Sequence, residues 1–258
     1  MKTKLFYVLL LICSYSYSQT FPTNNIQGYY KFNSGATLVD QAGVVDLTQN
    51  GALLTNTIDR FSSSNGDAVQ LDGDYFSRSN IPTSRSVTHA FWIKTTTNLG
   101  NNETIIGDSN RPGAGFNSTT YGYDIHLRDG GILIYSRFRE EENNGAFNDR
   151  AYGHASSSIV ADGTWHHVAV VFYTDRSDRF LNSRIYIDGA LDSSNEYDTT
   201  RAVRTFPFNT GDLVIGNNRV QNLADVNKYK DEFDDYFVYS RVLDANEIRT
   251  LATQDGFC

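Results

Sequence analysis

From residue 26 onward the chain is dominated by segments in which apolar and polar residues alternate at every second position, the period of strands rather than helices. Val87–Thr95 (VTHAFWIKT) places Val87, His89, Phe91, Ile93 and Thr95 on one side, and Thr88, Ala90, Trp92 and Lys94 on the other. The same reading predicts strands over Gly28–Phe32, Asp67–Leu71, Tyr75–Arg78, Thr104–Gly107, Gly122–Leu127 and Ile132–Phe138. It continues through Ser156–Val160, Trp165–Tyr173, Ser183–Ile187, Asp212–Ile215 and Glu232–Tyr239, with Gly, Asn and Asp clusters between them as turn chemistry requires. Both alternating sets of Trp165–Tyr173 are largely apolar, which predicts a central strand covered on each face. Trp165 reads as a core anchor, and His167 as a packed, hydrogen-bonded histidine. One helix is expected near the end, capped by Asp244 with Glu247 three residues on, and turning Leu243, Ile248 and Leu251 toward the body. Many short strands, one terminal helix and no βαβ rhythm predict an all-β sandwich, one domain over residues 24–256.

Composition fits that architecture, because 16 Tyr and 16 Phe favour pleated, half-buried surfaces. A formal charge of −8 repels phosphate backbones, so nucleic acid is disfavoured as a partner, while a divalent cation or a neutral ligand suits the balance. Residues 1–18 read as a signal peptide: Lys2 and Lys4, then an apolar stretch from Leu5 to Cys13, then Ser16-Tyr17-Ser18 before the cut. That stretch is too short to cross a bilayer, and no other approaches membrane length, so no membrane span is expected. After cleavage Cys258 is the remaining cysteine, no internal disulfide can form, and the product is secreted or held at the cell surface. Three segments, 108–121, 139–153 and 217–230, read as long surface loops of the kind that carry binding on a rigid sandwich.

Five blocks, in this order, resemble the laminin-G-like and pentraxin-like domains of the concanavalin A-like lectin/glucanase superfamily. They are GYYKF followed by Leu38–Gly43, AVQLDGDY at Ala68–Tyr75, AFWIKT at Ala90–Thr95, DGTWHHVAVV at Asp162–Val171 with IYIDG at Ile185–Gly189, and EFDDYFVYSRVL at Glu232–Leu243 with Ala245–Leu251. The resemblance covers roughly residues 26–251. It implies a concanavalin A-like jelly roll of two antiparallel sheets, a frequent calcium site, and carbohydrate or protein binding without catalysis.

Calcium takes six to eight hard oxygens. The resemblance implies Asp234 as its carboxylate, beside backbone carbonyls from the N-terminal segment near Asp40 or Gly28. Asp235 adjoins Asp234, so on a regular strand the two would point to opposite faces. Asp72, Asp74, Asp108 and Asp124 form a second acidic set, of which Asp72-Gly73-Asp74 reads as a turn. Sugar recognition uses aromatic faces with polar groups on the hydroxyls. The candidates are Arg111, Tyr121 and Tyr123 around the first long loop, Arg137 and Arg139 at a strand end, and Tyr152 across from them. A retaining glycosidase would need two carboxylates about 5 Å apart across the sugar. Glu140, Glu141 and Glu142 are the nearest run, but their arginine and asparagine neighbours make a solvated loop rim. The expectation is an exported, non-catalytic lectin-like module that binds an extracellular glycan and is stabilised by calcium. A structural or adhesive surface that binds another protein is the alternative, and a divergent glycoside hydrolase is the third reading.

Overall fold

The computed structural model describes residues 21–32, 38–51, 55–62, 68–79, 86–98, 100, 102–108, 121–141, 147–174, 181–192, 195–198, 212–217 and 228–253. The predicted leader, Arg111 and Cys258 lie outside them. The strands are β1 (Ile26–Tyr30), β2 (Thr48–Asn50), β3 (Thr55–Thr57), β4 (Ala68–Gln70), β5 (Tyr75–Arg78), β6 (Ser86–Lys94), β7 (Glu103–Asp108) and β8 (Tyr121–Arg128). They continue as β9 (Gly131–Glu141), β10 (Phe147–Ala155), β11 (Trp165–Thr174), β12 (Leu181–Ile187), β13 (Ala190–Leu191), β14 (Asn195–Asp198), β15 (Leu213–Ile215) and β16 (Glu232–Tyr239). The helix α1 (Ala245–Thr253) follows.

Two antiparallel sheets form the sandwich. The first runs β13-β12-β11-β6-β16-β4-β3, with β1 beside the second half of β16; the second runs β14-β10-β9-β8-β7-β15-β5-β2. Period-two alternation sends Phe91, Ile93, Val168, Val170, Phe172, Phe233 and Val238 into the space between the sheets, where they meet Ile106, Ile125, Ile132, Ile134 and Ile215. The opposite residues of the same central strands, Ala90, Ala169, Val171, Phe237 and Tyr239, lie under Leu243, Ile248 and Leu251. That second cluster is why Trp165–Tyr173 reads as apolar on both sides. Trp165 itself is half-buried. The helix start is reciprocal: Asp244 Oδ1 accepts the N–H of Asn246 and of Glu247, while Glu247 Oε2 accepts the N–H of Asp244.

Two sequence expectations fail here. Ser156–Val160 is a loop, because two of its N–H groups are committed to a side chain: Ser157 and Ser158 both donate to the Asp192 carboxylate, at 2.7 and 3.0 Å. Segment 139–153 is largely strand instead of loop. β9 and β10 pair continuously from Leu133↔Ala155 to Glu141↔Phe147, and its charged residues hide a ladder whose backbone is fully regular.

The third departure is a β-bulge in β16. Asp234 lies opposite Trp92 and Phe237 opposite Ala90, so three steps on β16 match two on β6. Asp235 takes φ 41° to accommodate the extra residue. Asp234 and Asp235 therefore share the outer face of the first sheet, contrary to the alternation expected of a regular strand, while Phe233 and Tyr236 on either side stay in the core.

Candidate functional site

Arg60 reaches the bulge from the turn after β3. That turn is fixed by Asp59, whose Oδ1 accepts the Phe61 N–H at 2.9 Å. The Arg60 guanidinium lies between two rings, 4.0 Å from the Phe61 centroid and 4.4 Å from that of Trp92. Its Nε and Nη2 donate to Asp235 Oδ2 at 3.2 and 2.9 Å, and Tyr29 donates its hydroxyl to Asp235 Oδ1 at 3.3 Å. Asp234, 2% exposed, accepts the Asp235 N–H at 2.7 Å. Burial first, and the neighbouring Asp235 charge second, push the Asp234 carboxyl well above the usual range. Burial also raises Asp235, against the lowering pull of Arg60. One row across three strands thus carries Asp234, Trp92 and His167. Sequence reasoning missed Arg60, because 175 residues separate it from its acid partner and no local pattern marks it.

His167 is buried as expected, edge-on to Trp92, but neither ring nitrogen has a hydrogen-bond partner among the described residues. Burial, then the Arg60 charge, lowers its pKa to about 3, so the ring is neutral. His166 behaves oppositely. Its Nδ1 meets Asp188 Oδ2 at 2.8 Å and its Nε2 meets Asp162 Oδ1 at 3.2 Å, joining two Asp-Gly turns. Partial burial alone would lower its pKa, but the two carboxylates outweigh that and raise it. A raised histidine contributes stability that is complete below the unfolded value of about 6.5 and is lost as pH rises through the folded value. Proton NMR of the imidazoles is expected to show His166 titrating above that reference while His167 stays flat.

The implied calcium ligands lie on three separate elements: Asp234 on β16, Gly28 on β1 and Asp40 in the loop after it. Asp40 Oδ1 accepts the N–H groups of Tyr29 and Ala42, and its Oδ2 those of Val44 and Val45, at 2.8 to 3.0 Å. Four peptide donors fill the four lone-pair positions of a carboxylate, so the Asp40 side chain organises its loop, while its backbone carbonyl accepts the Gly43 N–H at 2.9 Å. Gly28 lies against the Arg78 guanidinium, a cationic neighbour. Asp234 keeps acceptor capacity beyond its single N–H. Among the described residues no three His, Cys, Asp or Glu side chains group closely enough to hold a metal ion. Of the second acidic set, Asp72 is exposed at its turn, Asp74 lies against Gly51, and Asp124 pairs with Gly107, the neighbour of Asp108 on β7.

Of the predicted sugar contacts, Tyr123 is a core residue, 4% exposed, with its hydroxyl on His89 Nε2 at 2.7 Å. Tyr121, Arg137, Arg139 and Tyr152 fall on neighbouring rungs at one end of β8, β9 and β10, and Arg111 lies outside the described residues. Tyr123, Ser136 and Tyr152 form one rung, Gly122, Arg137 and Ala151 the next, then Tyr121, Phe138 and Arg150, and finally Arg139 with Asp149. Adjacent strands are about 4.8 Å apart, so these backbone positions are close neighbours. Alternation divides them: Tyr121 and Tyr152 occupy positions on the same face as Tyr123, and Arg137 and Arg139 occupy the other. Glu140 and Glu141 continue β9 beyond them, and Glu142 lies outside the described residues.

No helix among the described residues is long and apolar enough to cross a membrane. No curated protein sequence matches the chain. Several solved structures share its fold. A botulinum neurotoxin type C structure concerned with interaction with two ganglioside molecules has a TM-score of 0.53 at 14% identity, covering 89% of this chain and 51% of that one. The binding domain of botulinum neurotoxin DC, in complex with rat synaptotagmin II, gives 0.54 at 14% identity over 90% of this chain and 52% of that one. A Trypanosoma rangeli sialidase gives 0.50 at 16% identity over 90% of this chain and 33% of that one. The chain thus spans about half the length of the toxin structures, and at such identities the likeness is one of fold. A laminin G family model, described as concanavalin A-like lectin/glucanases superfamily, matches residues 63–249. With that match over most of its length, on two antiparallel sheets closed around one core, the chain belongs to the concanavalin A-like lectin/glucanases superfamily.

Proposed function

We propose that the chain is an exported, non-catalytic binding module for an extracellular glycan. The observation that carries this reading is the gathering of Tyr121, Tyr152, Arg137 and Arg139 on consecutive rungs of three neighbouring strands. Tyrosines supply faces for the apolar side of a sugar ring, and arginines supply fixed donors for its hydroxyls or acid groups. The two residue types occupy opposite faces, so the faces can be tested separately. On a glycan array, Tyr121→Ala with Tyr152→Ala is expected to weaken binding about 10-fold or more if the tyrosine face is the platform. Arg137→Ala with Arg139→Ala would do so if the other face is. Retention of full binding by both pairs would reject the site, and absence of any glycan binding by the wild type would favour adhesion to a surface protein.

Calcium belongs to the same proposal through Asp234. Its support is a buried carboxylate that accepts the Asp235 N–H while the neighbouring Arg60 guanidinium is bonded to Asp235. A bound ion would be structural, replacing the proton that burial otherwise favours. Calcium should then raise the melting temperature more at pH 8 than at pH 5.5, and not at all in Asp234→Asn. Equal responses in both proteins would remove the metal from the proposal.

A further inference from the structure

Arg78 closes β5 pointing into the sandwich, and it is 2% exposed. Its Nη1 donates to the Gln27 carbonyl at 2.5 Å and to the Tyr30 hydroxyl at 2.8 Å. Tyr30 passes its own proton to the Val45 carbonyl at 2.5 Å, so it is a neutral phenol and no counter-charge. Nε and Nη2 are buried with no partner among the described residues. These two N–H groups form the side-on edge of a guanidinium, the edge that takes an anion through two parallel bonds.

No carboxylate among the described residues bonds to the free edge of this guanidinium. Asp40 is saturated by four peptide N–H groups, and Asp46 Oδ1 accepts the Asp40 N–H. The remaining surroundings are Tyr236 and His89, stacked at 6.0 Å, and Tyr30, stacked on Tyr236 at 5.9 Å. Both imidazole nitrogens of His89 are engaged by phenols. A guanidinium cannot shed its proton as a buried lysine or histidine does. Removing it from water without a partner costs several kcal/mol. Water could satisfy the two N–H groups but would not neutralise the charge.

The placement is fixed from behind as well. A Cβ on Gly28 would stand 2.5 Å from Arg78 Nη1 and 2.9 Å from the Tyr30 ring, so glycine at this position lets the guanidinium lie against β1. Both the backbone and the phenol hold the free edge in one orientation. We propose that this edge is an internal anion site that takes one small monovalent anion, a halide or a carboxylate, as part of the folded structure.

Binding to the folded form alone stabilises it in proportion to the logarithm of anion concentration. Melting is measured at constant ionic strength while gluconate, too large for the core, is replaced by chloride in one arm and by formate in another. The wild type is expected to gain about 5 °C at a concentration well above the dissociation constant. The arm with the lower midpoint identifies the preferred class. Arg78→Met should be indifferent to both anions. An equal rise in Arg78→Met, or no rise in the wild type, overturns the proposal. Should Arg78→Met fail to fold, crystals of the wild type grown in bromide decide the matter. Anomalous density within hydrogen-bonding reach of Nε and Nη2 is the expected result, and water alone at that edge refutes it.

Discussion

Replacing Arg60 by methionine is expected to destabilise the fold by about 3–5 kcal/mol at pH 7, the usual cost of stripping one partner from a buried ion pair. The guanidinium is the cation that answers the Asp234–Asp235 bulge, and it lies between the Phe61 and Trp92 rings. Methionine keeps most of the contact with those rings, so the loss is chiefly electrostatic. The sign of its pH dependence follows from the carboxyls. Both have folded pKa values raised above the unfolded value, so the folded state holds protons that the unfolded chain releases. Stability from this source grows as pH falls toward the unfolded value near 4 and diminishes as pH rises. Without Arg60 the raise is larger, so the gap between variant and wild type should narrow from pH 8 to pH 5 in urea titrations. Arg60→Met combined with Asp235→Asn should recover part of the loss. A gap independent of pH would show that the stacking of Arg60, not its charge, is what matters.

Replacing His89 by leucine is expected to cost about 2–5 kcal/mol, because two buried phenols lose their partner while the volume is nearly kept. His89 Nδ1 meets the Tyr236 hydroxyl at 2.8 Å and its Nε2 meets the Tyr123 hydroxyl at 2.7 Å, one nitrogen donating and the other accepting. This chain ties β16 to β6 and crosses the core to β8. Burial, then the charge of Arg78, lowers the His89 pKa to about 3. A lowered histidine acts opposite to the raised acids. The unfolded chain takes up the proton first, so stability falls as pH drops below about 6.5, by about 1.4 kcal/mol per unit for each such histidine. His167 has the same sign. His89→Gln retains a donor and an acceptor and should lose less than His89→Leu. If the two variants are equally stable in urea titrations, the phenols are satisfied elsewhere and the bridge is dispensable.

Much of the scaffold was readable because it depends on local alternation. β5 and β16 begin and end where the pattern places them, and the capping residues of α1 are adjacent in sequence. β10 was not readable, since its ladder is written in charged and small residues whose apolar signal is weak. The shared face of Asp234 and Asp235 depends on a bulge, and nothing in the sequence of β16 announces one. Arg60 and Arg78 were invisible for a different reason. Each acquires its role from partners on distant strands, and an isolated arginine among serines looks like a solvent-facing residue. The predicted rim residues were adjacent in register but not on one face, which alternation within a misread loop could not reveal.

The order of strands also bears on how the chain folds. β16 occupies the middle of the first sheet, between β6 on one side and β4 and β1 on the other, yet it follows all three in sequence, more than 130 residues after β6. Until it arrives, β6 and β1 present unfilled hydrogen-bonding edges and the apolar surface that Phe233 and Val238 later cover. Any state in which β16 is out of place is therefore sticky, and closure of the sheet waits on the insertion of this one strand between its neighbours.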